Sequence, residues 1–267
     1  MAIDYGVLLP CIPREQIGTD SILERLKGRE RAHTIIQLFR RSGDARPPSQ
    51  MGFELTRSTP EGEEETRVLI VQDMLDEAAP LDNLAHHCAA CAANLTSAPY
   101  GCYGRIDYPI SSRAERWLLD RLPSVDQPLL WLLLRQGVQE LGYNGDSVRA
   151  LRANPAYFEE RRVQGRDLGE FVMSADQVFE MLFLLGSIRP PHAGVLLLFF
   201  DLIPRQIEAD AIRAILNGAL DADAVQSRFP LRLPAGDDDD TTIRQLKDFF
   251  RALHTAWMLG VPLMLDV

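Results

Sequence analysis

A succession of helix signals in the second half of the chain restricts the fold more than any other feature. Ser174 and Gln177 have the spacing of a helix capping box in front of the apolar run "VFEMLFLLG". Ser112 and Glu115 have the same spacing before "RWLLDRL", and the run "DDDDTT" precedes a long amphipathic segment. We therefore predict that residues 111–267 are mainly α-helical.

The first part of the chain mixes strand and helix signals. "YGVLLP" predicts a short buried strand, and "TDSILERLKGRERA" predicts a helix because its apolar residues share one face. "HTIIQLFRR", "QMGFELTRS" and "EETRVLIVQDM" are rich in β-branched and aromatic residues and predict strands, the last two joined by a hairpin turn at Thr59–Glu63. The C-terminal "VPLMLDV" predicts a last strand that returns to this sheet.

These signals predict an α+β fold. A small N-terminal antiparallel or mixed sheet with helices is followed by a predominantly α-helical C-terminal half. The chain has no internal repeat at a solenoid period and no long Gly/Ser linker. We expect an α/β region over residues 1–110 that carries the cysteines and a helical region over residues 111–267, either as two parts or as one continuous domain.

The charge of the chain restricts its partners. The formal net charge is −10 at pH 7, so phosphate backbones and anionic lipid surfaces repel the protein. We expect a protein partner or a small ligand, with no nucleic acid and no membrane. The N-terminus lacks a basic signal region, and the longest apolar run, "GVLLLFFDLIP", is interrupted by Asp201. The expected compartment is the cytoplasm.

The segment "LAHHCAACAANLTSAPYGCYG" contains Cys88, Cys91 and Cys102, three of the four cysteines. Its alanines favour a helix, which places Cys88 and Cys91 on one face. Pro99 ends that helix, and glycines on both sides of Cys102 allow a tight turn. In a reducing compartment such cysteines are typical of metal ligands rather than disulfides. We therefore expect three thiolates on one metal ion.

Tetrahedral zinc needs a fourth ligand. Cys11, at the end of the first predicted strand, completes an all-thiolate set and is narrowly preferred over His87 or the neighbouring His86. The leading hypothesis is a binding or scaffolding protein with a structural zinc site. The alternative is an oxidoreductase that holds a [4Fe–4S] cluster through the same cysteines. A dithiol pair at Cys88 and Cys91 and buried cysteines without metal are the remaining interpretations.

Other polar residues give weaker signals. His192 follows two prolines and has the chemistry of a general base, but no nucleophile motif accompanies it. His254 lies on an amphipathic segment, which indicates a histidine at the edge of the core. Asp237–Asp240 lack the alternating ligands and the glycine of an EF-hand loop, and helix capping is the better explanation. No catalytic residue is predicted, and the chain is not assigned as an enzyme.

Overall fold

The structure, a computed structural model, describes residues 2–58, 64–234 and 236–267 of the chain. The chain separates into two compact units by its internal contacts. One unit comprises Met1–Leu9 and Gly101–Val267, and the other comprises Pro10–Tyr100. The first strand of the chain therefore belongs to the unit that also contains the helical C-terminal part.

Helices predominate among the described elements. The strands are β1 (Ala2–Val7), β2 (Gly52–Ser58), β3 (Glu64–Ile70), β4 (Tyr103–Asp107), β5 (Gly165–Asp167), β6 (Val172–Ser174), β7 (Ser187–Ile188) and β8 (Leu263–Asp266). The α-helices are α1 (Ile12–Ile17), α2 (Thr19–Arg41), α3 (Val71–Ala78), α4 (Pro80–Leu84), α5 (Ser112–Leu119), α6 (Pro128–Glu140), α7 (Asp146–Arg152), α8 (Ala175–Phe183), α9 (Pro190–Phe199), α10 (Ala209–Leu216), α11 (Ala222–Arg228) and α12 (Thr241–Met258). Two 3-10 turns cover Pro48–Gln50 and Ala85–Cys88. The predicted α+β class is confirmed.

A four-stranded antiparallel sheet joins the two ends of the chain. Its order is β4-β1-β8-β7, with Leu265 of β8 opposite Tyr5 of β1. The predicted return of the C-terminal tail to the N-terminal strand is therefore confirmed. Ile3, Tyr5 and Val7 alternate along β1 and are all buried, as expected for a strand with one face on the core.

Glycine and tyrosine oppose each other twice between β1 and β4. In the register of the sheet, Gly6 is opposite Tyr103 and Gly104 is opposite Tyr5. A Cβ atom on Gly104 would lie 2.4 Å from the hydroxyl oxygen of Tyr5, and one on Gly6 would lie 2.8 Å from Cδ1 of Tyr103. Both glycines are required because each tyrosine ring occupies the space of the missing side chain.

Aromatic side chains of α12 form the centre of the core in this unit. The ring of Phe249 lies 5.4 Å from that of Tyr5 and 5.1 Å from that of Phe183. The ring of Phe250 lies 5.3 Å from that of Phe200. Helix α9 is buried along its length from Ala193 to Phe199, which explains why its sequence is apolar on all sides.

Local capping signals start several helices of this unit. The predicted capping box of α8 is present, since Ser174 Oγ accepts from the N–H of Gln177 at 3.2 Å and Gln177 Oε1 accepts from the N–H of Ser174 at 2.9 Å. The capping box predicted at Ser112 is wrong. Ser111 caps α5 instead, with its Oγ accepting from the N–H of Ala114 at 3.1 Å.

The unit formed by residues 10–100 is built around α2. We predicted a strand for "HTIIQLFRR", but these residues form the second half of α2. The helix is favoured because Ile35, Ile36 and Phe39 pack against a cluster that includes Met51 and Val71. The antiparallel pairing predicted for β2 and β3 is confirmed. The turn predicted at residues 59–63 lies outside the described residues.

Candidate functional site

The metal site predicted at Cys88, Cys91 and Cys102, with Cys11 or His87 as the fourth ligand, is wrong. Over residues 2–58, 64–234 and 236–267, no group of three or more His, Cys, Asp or Glu side chains is arranged to hold a metal ion. The structural zinc site and the [4Fe–4S] cluster are therefore both overturned. The metal-dependent scaffold and the iron–sulfur oxidoreductase are overturned with them.

The early end of the predicted helix explains this error. Helix α4 ends before Cys88, which closes a single 3-10 turn, and Cys91 lies in the loop that follows. Asn94 holds this loop, because its Nδ2 donates to the backbone oxygens of Cys88 at 2.9 Å and Ala98 at 3.0 Å. Its Oδ1 accepts from the N–H of Thr96 at 3.0 Å. An amide side chain thus organises the segment for which we expected a metal.

The other predicted ligands have local structural positions. Cys11 precedes α1 at the N-cap, where its side chain makes no capping hydrogen bond. The ring of His87 packs against the ring of His86, with the centroids 3.9 Å apart. Cys102 is buried before β4, and its backbone oxygen accepts from the N–H of Val7 at 3.0 Å. None of these positions indicates a reaction.

A cavity of about 270 Å³ in the unit that contains α12 is the candidate site. Its walls come from α6, α8, α9 and α10 and from the chain that follows α6. The lining residues are Leu133, Leu134, Gly137, Val138, Leu141, Tyr143, Met181, Pro191, His192, Val195, Phe199 and Leu216. Only two of these, His192 and Tyr143, carry a polar side-chain group. Apolar walls with a few polar groups are typical of sites for small molecules.

The cavity has room beside α6 and opens at the surface. A Cβ atom placed on Gly137 would have no atom within 4 Å, so this face of the helix borders open space. Leu141 and Leu216 both line the cavity and are 62% and 47% exposed. Because two lining leucines reach solvent, a ligand has a path into the cavity without unfolding of the helices.

His192 lies in the first turn of α9, directly after Pro190 and Pro191. Burial lowers the pKa of His192 below the ordinary value for histidine. The positive end of the helix dipole also disfavours a cation at this position. The imidazole is therefore neutral at pH 7, with one nitrogen that donates and one that accepts.

Tyr143 follows the C-terminal end of α6, and two hydrogen bonds fix the position of its backbone. Its N–H donates to the oxygen of Val138 at 3.1 Å, and its oxygen accepts from Nε2 of Gln177 at 2.9 Å. Burial, followed by the negative charge of Glu180, raises the pKa of Tyr143. The phenol is therefore also neutral at pH 7. Within the described part of the chain, neither the Tyr143 hydroxyl nor the His192 ring has a hydrogen-bond partner.

A buried group of charges lies elsewhere in the same unit. Arg152 of α7 donates to Glu115 of α5 and to Asp176 of α8, and the three side chains are at most 3% exposed. The guanidinium also lies 4.0 Å from the centre of the Phe158 ring. Burial raises the pKa of Glu115, while the hydrogen bonds from Arg152 oppose this shift. Because the charges face each other within the core, their role is to join three helices.

Sequence reasoning singled out His192 but missed the cavity, whose walls come from segments far apart in the chain. Comparison of the chain with protein-family models, with curated proteins and with solved structures gave no significant match. Among the described helices, none combines the length and the apolar character needed to cross a membrane. The geometry of the cavity is therefore the basis for assigning a function.

Proposed function

We propose that this protein binds a small, mainly apolar ligand in the cavity between α6, α8, α9 and α10. The observation that carries this proposal is an apolar space of about 270 Å³ that opens beside exposed leucines. A dry cavity of ~150 Å³ is sufficient for benzene. The space here suits a larger molecule, such as an arene with a short side chain.

The glycine at position 137 supports the proposal that the cavity binds a ligand. It lies in the interior of α6, where glycine destabilises a helix by roughly 0.5–1 kcal/mol relative to alanine. No neighbouring atom requires a glycine here, because a Cβ would meet nothing within 4 Å. A side chain at this position would fill the cavity, so the glycine keeps the space open.

The cytoplasm is the proposed compartment. Cys88 and Cys102 are buried cysteines in the two units of the chain, and buried thiols suit a reducing environment. The acidic composition fits a small uncharged ligand better than a polyanionic partner.

Isothermal titration calorimetry with propylbenzene tests the proposal, because this hydrocarbon is uncharged and of suitable size. The wild-type protein should bind it with a stoichiometry of about one per chain, as one cavity implies. The variant Gly137→Leu places a side chain in the cavity and should abolish the binding. The matched control is Gly28→Leu, the same change in α2 at a glycine that also borders open space.

Thermal unfolding separates a blocked cavity from a misfolded chain. Both leucine variants should melt at or above the wild-type temperature, because leucine favours a helix over glycine. Loss of binding in Gly137→Leu alone, with its melting temperature retained, supports the proposal. Absence of binding to the wild-type protein, or equal binding by Gly137→Leu, overturns it.

A further inference from the structure

We infer that the ligand of this cavity is an uncharged molecule with a hydroxyl or carbonyl group that forms hydrogen bonds with His192 and Tyr143. This inference rests on the proposed function and adds the chemical class of the ligand. Its basis is that the two polar groups of the lining have no partner among the described residues. Neither group is among the fully buried side-chain atoms that lack a partner in the described part of the chain, so both are open to solvent in the cavity. A ligand hydroxyl or carbonyl can take the place of water there and form the same hydrogen bonds.

The chemistry of the two groups selects the functional group of the ligand. A neutral imidazole offers one donor and one acceptor, and a phenol hydroxyl both donates and accepts. A ligand hydroxyl can donate to one of these groups and accept from the other. A ligand carbonyl can accept a hydrogen bond from either of them. A plain hydrocarbon leaves both groups of the protein without partners.

The surroundings of the cavity disfavour an anionic ligand. No lysine or arginine is among the lining residues. Pro190 and Pro191 have no N–H, so the first turn of α9 lacks two of the donors that bind anions at other helix N-termini. Glu180 adds a negative charge near Tyr143, and its carboxylate accepts from the N–H of Gly145 at 2.7 Å. A carboxylate in the cavity would lose its hydration without gaining a positive partner.

The test compares three ligands of similar size by calorimetry at a pH where the imidazole is neutral: propylbenzene, 2-phenylethanol and phenylacetate. A wholly apolar cavity would bind the alcohol on the order of a hundredfold more weakly than the hydrocarbon, because the hydroxyl would lose its hydrogen bonds to water. We expect the wild-type protein to bind 2-phenylethanol about as tightly as propylbenzene, since two hydrogen bonds replace those lost. Phenylacetate should bind on the order of a hundredfold more weakly than the alcohol.

Substitutions test whether His192 and Tyr143 are the groups that bind the hydroxyl of the alcohol. Tyr143→Phe and His192→Leu should each lower the affinity for the alcohol relative to the hydrocarbon by about five- to tenfold, the contribution of one hydrogen bond. Tyr157→Phe and His33→Leu are the matched controls, because neither residue lines the cavity. Both controls should keep the wild-type ratio of the two affinities.

The outcomes distinguish this inference from the function on which it rests. If propylbenzene binds but the affinity ratio is the same in wild type, Tyr143→Phe and His192→Leu, the inference is overturned and the cavity remains a binding site. Phenylacetate that binds as tightly as the alcohol also overturns the inference alone. If none of the three compounds binds, the proposed function fails as well.

Discussion

Nε of Arg152 donates to Oδ1 of Asp176 over 2.7 Å, and both side chains are at most 2% exposed. The same guanidinium donates to Glu115, so one positive charge serves two buried carboxylates. Oδ2 of Asp176 is buried and has no hydrogen-bond partner among the described residues. The carboxylates therefore depend on Arg152, because no other described side chain forms an ion pair with either of them.

Replacement of Arg152 by methionine should strongly destabilise this unit. The change keeps much of the apolar stem but leaves two buried carboxylates without their positive partner. Breaking a buried ion pair in this way costs about 3–5 kcal/mol. Urea unfolding monitored by circular dichroism gives the free energy of unfolding. Arg149→Met in the same helix is the control, because Arg149 pairs with Asp146 at the exposed surface and should contribute at most about 1 kcal/mol. An equal decrease in the free energy of unfolding in both variants would show that Arg152 does not stabilise the buried carboxylates.

We expect the buried His254 to make the folded protein less stable at acidic pH. The residue is buried, and its Nε2 donates to the backbone oxygen of Phe229 at 3.0 Å. Burial lowers the pKa of His254, and protonation therefore favours the unfolded chain. The stabilising contribution is present above the unfolded pKa of about 6.5 and is lost as the pH falls through the lowered folded value.

The variant His254→Gln checks this sign. A glutamine amide can still donate to Phe229 but does not take up a proton. Between about pH 7.5 and pH 5, the free energy of unfolding of the wild type should fall relative to that of the variant. His33→Gln, which removes an exposed histidine of α2, corrects for the general effect of the substitution. A constant difference between wild type and His254→Gln across this range would refute the prediction.

Asp240 should stabilise the starts of two helices. Its Oδ1 accepts from the N–H of Ile243 at 2.8 Å at the start of α12, and its Oδ2 accepts from the hydroxyl of Ser111 at 2.7 Å. Ser111 in turn caps α5. Asp240→Ala should lower the free energy of unfolding by about 1–2 kcal/mol, the range for loss of an N-cap. Asp237→Ala, at an exposed position of the same acidic run, should have an effect within about 0.5 kcal/mol. A double-mutant cycle with Ser111→Ala measures the coupling of the two caps.

Gly104 should not tolerate even a methyl group. A Cβ at this position overlaps the Tyr5 ring and hydroxyl. Gly104 and Tyr5 lie opposite each other on β4 and β1 of the four-stranded sheet. Gly104→Ala should lower the free energy of unfolding by about 1–3 kcal/mol, the range for overpacking of a core. Gly28→Ala is the control and should raise stability, because it lies in a helix beside open space. Thermal unfolding of both variants measures the difference, and an unchanged melting temperature for Gly104→Ala would refute the predicted clash.

Several features could be predicted from the sequence because they depend on neighbouring residues. The box formed by Ser174 and Gln177 spans three positions, and the cap at Asp240 acts on the next turn of chain. The strand character of the two chain ends follows from short alternating or apolar runs. In each case either the stabilising contacts join residues close in sequence, or the pattern of apolar residues indicates which face is buried.

The prediction failed where side-chain contacts, some distant and some close in sequence, outweighed the helix or strand propensity of a segment. The β-branched residues near Ile35 suggested a strand, but packing against Met51 and Val71 stabilises a helix there. The alanines near Cys88 suggested a helix, but the side chain of Asn94 holds a loop instead. Propensity is a weak preference per residue, and tertiary contacts of larger free energy override it.

The sequence by itself determined the α+β class and the starts of α8 and α12, since capping and burial periodicity act over a few residues. Only the tertiary structure decided which side chains meet. Among the described residues it did not bring the predicted metal ligands together in a group that could hold a metal ion, and it brought His192 and Tyr143 into one apolar cavity. The physical reason is that convergence of distant residues depends on how whole helices pack, and no local pattern in the sequence encodes that packing.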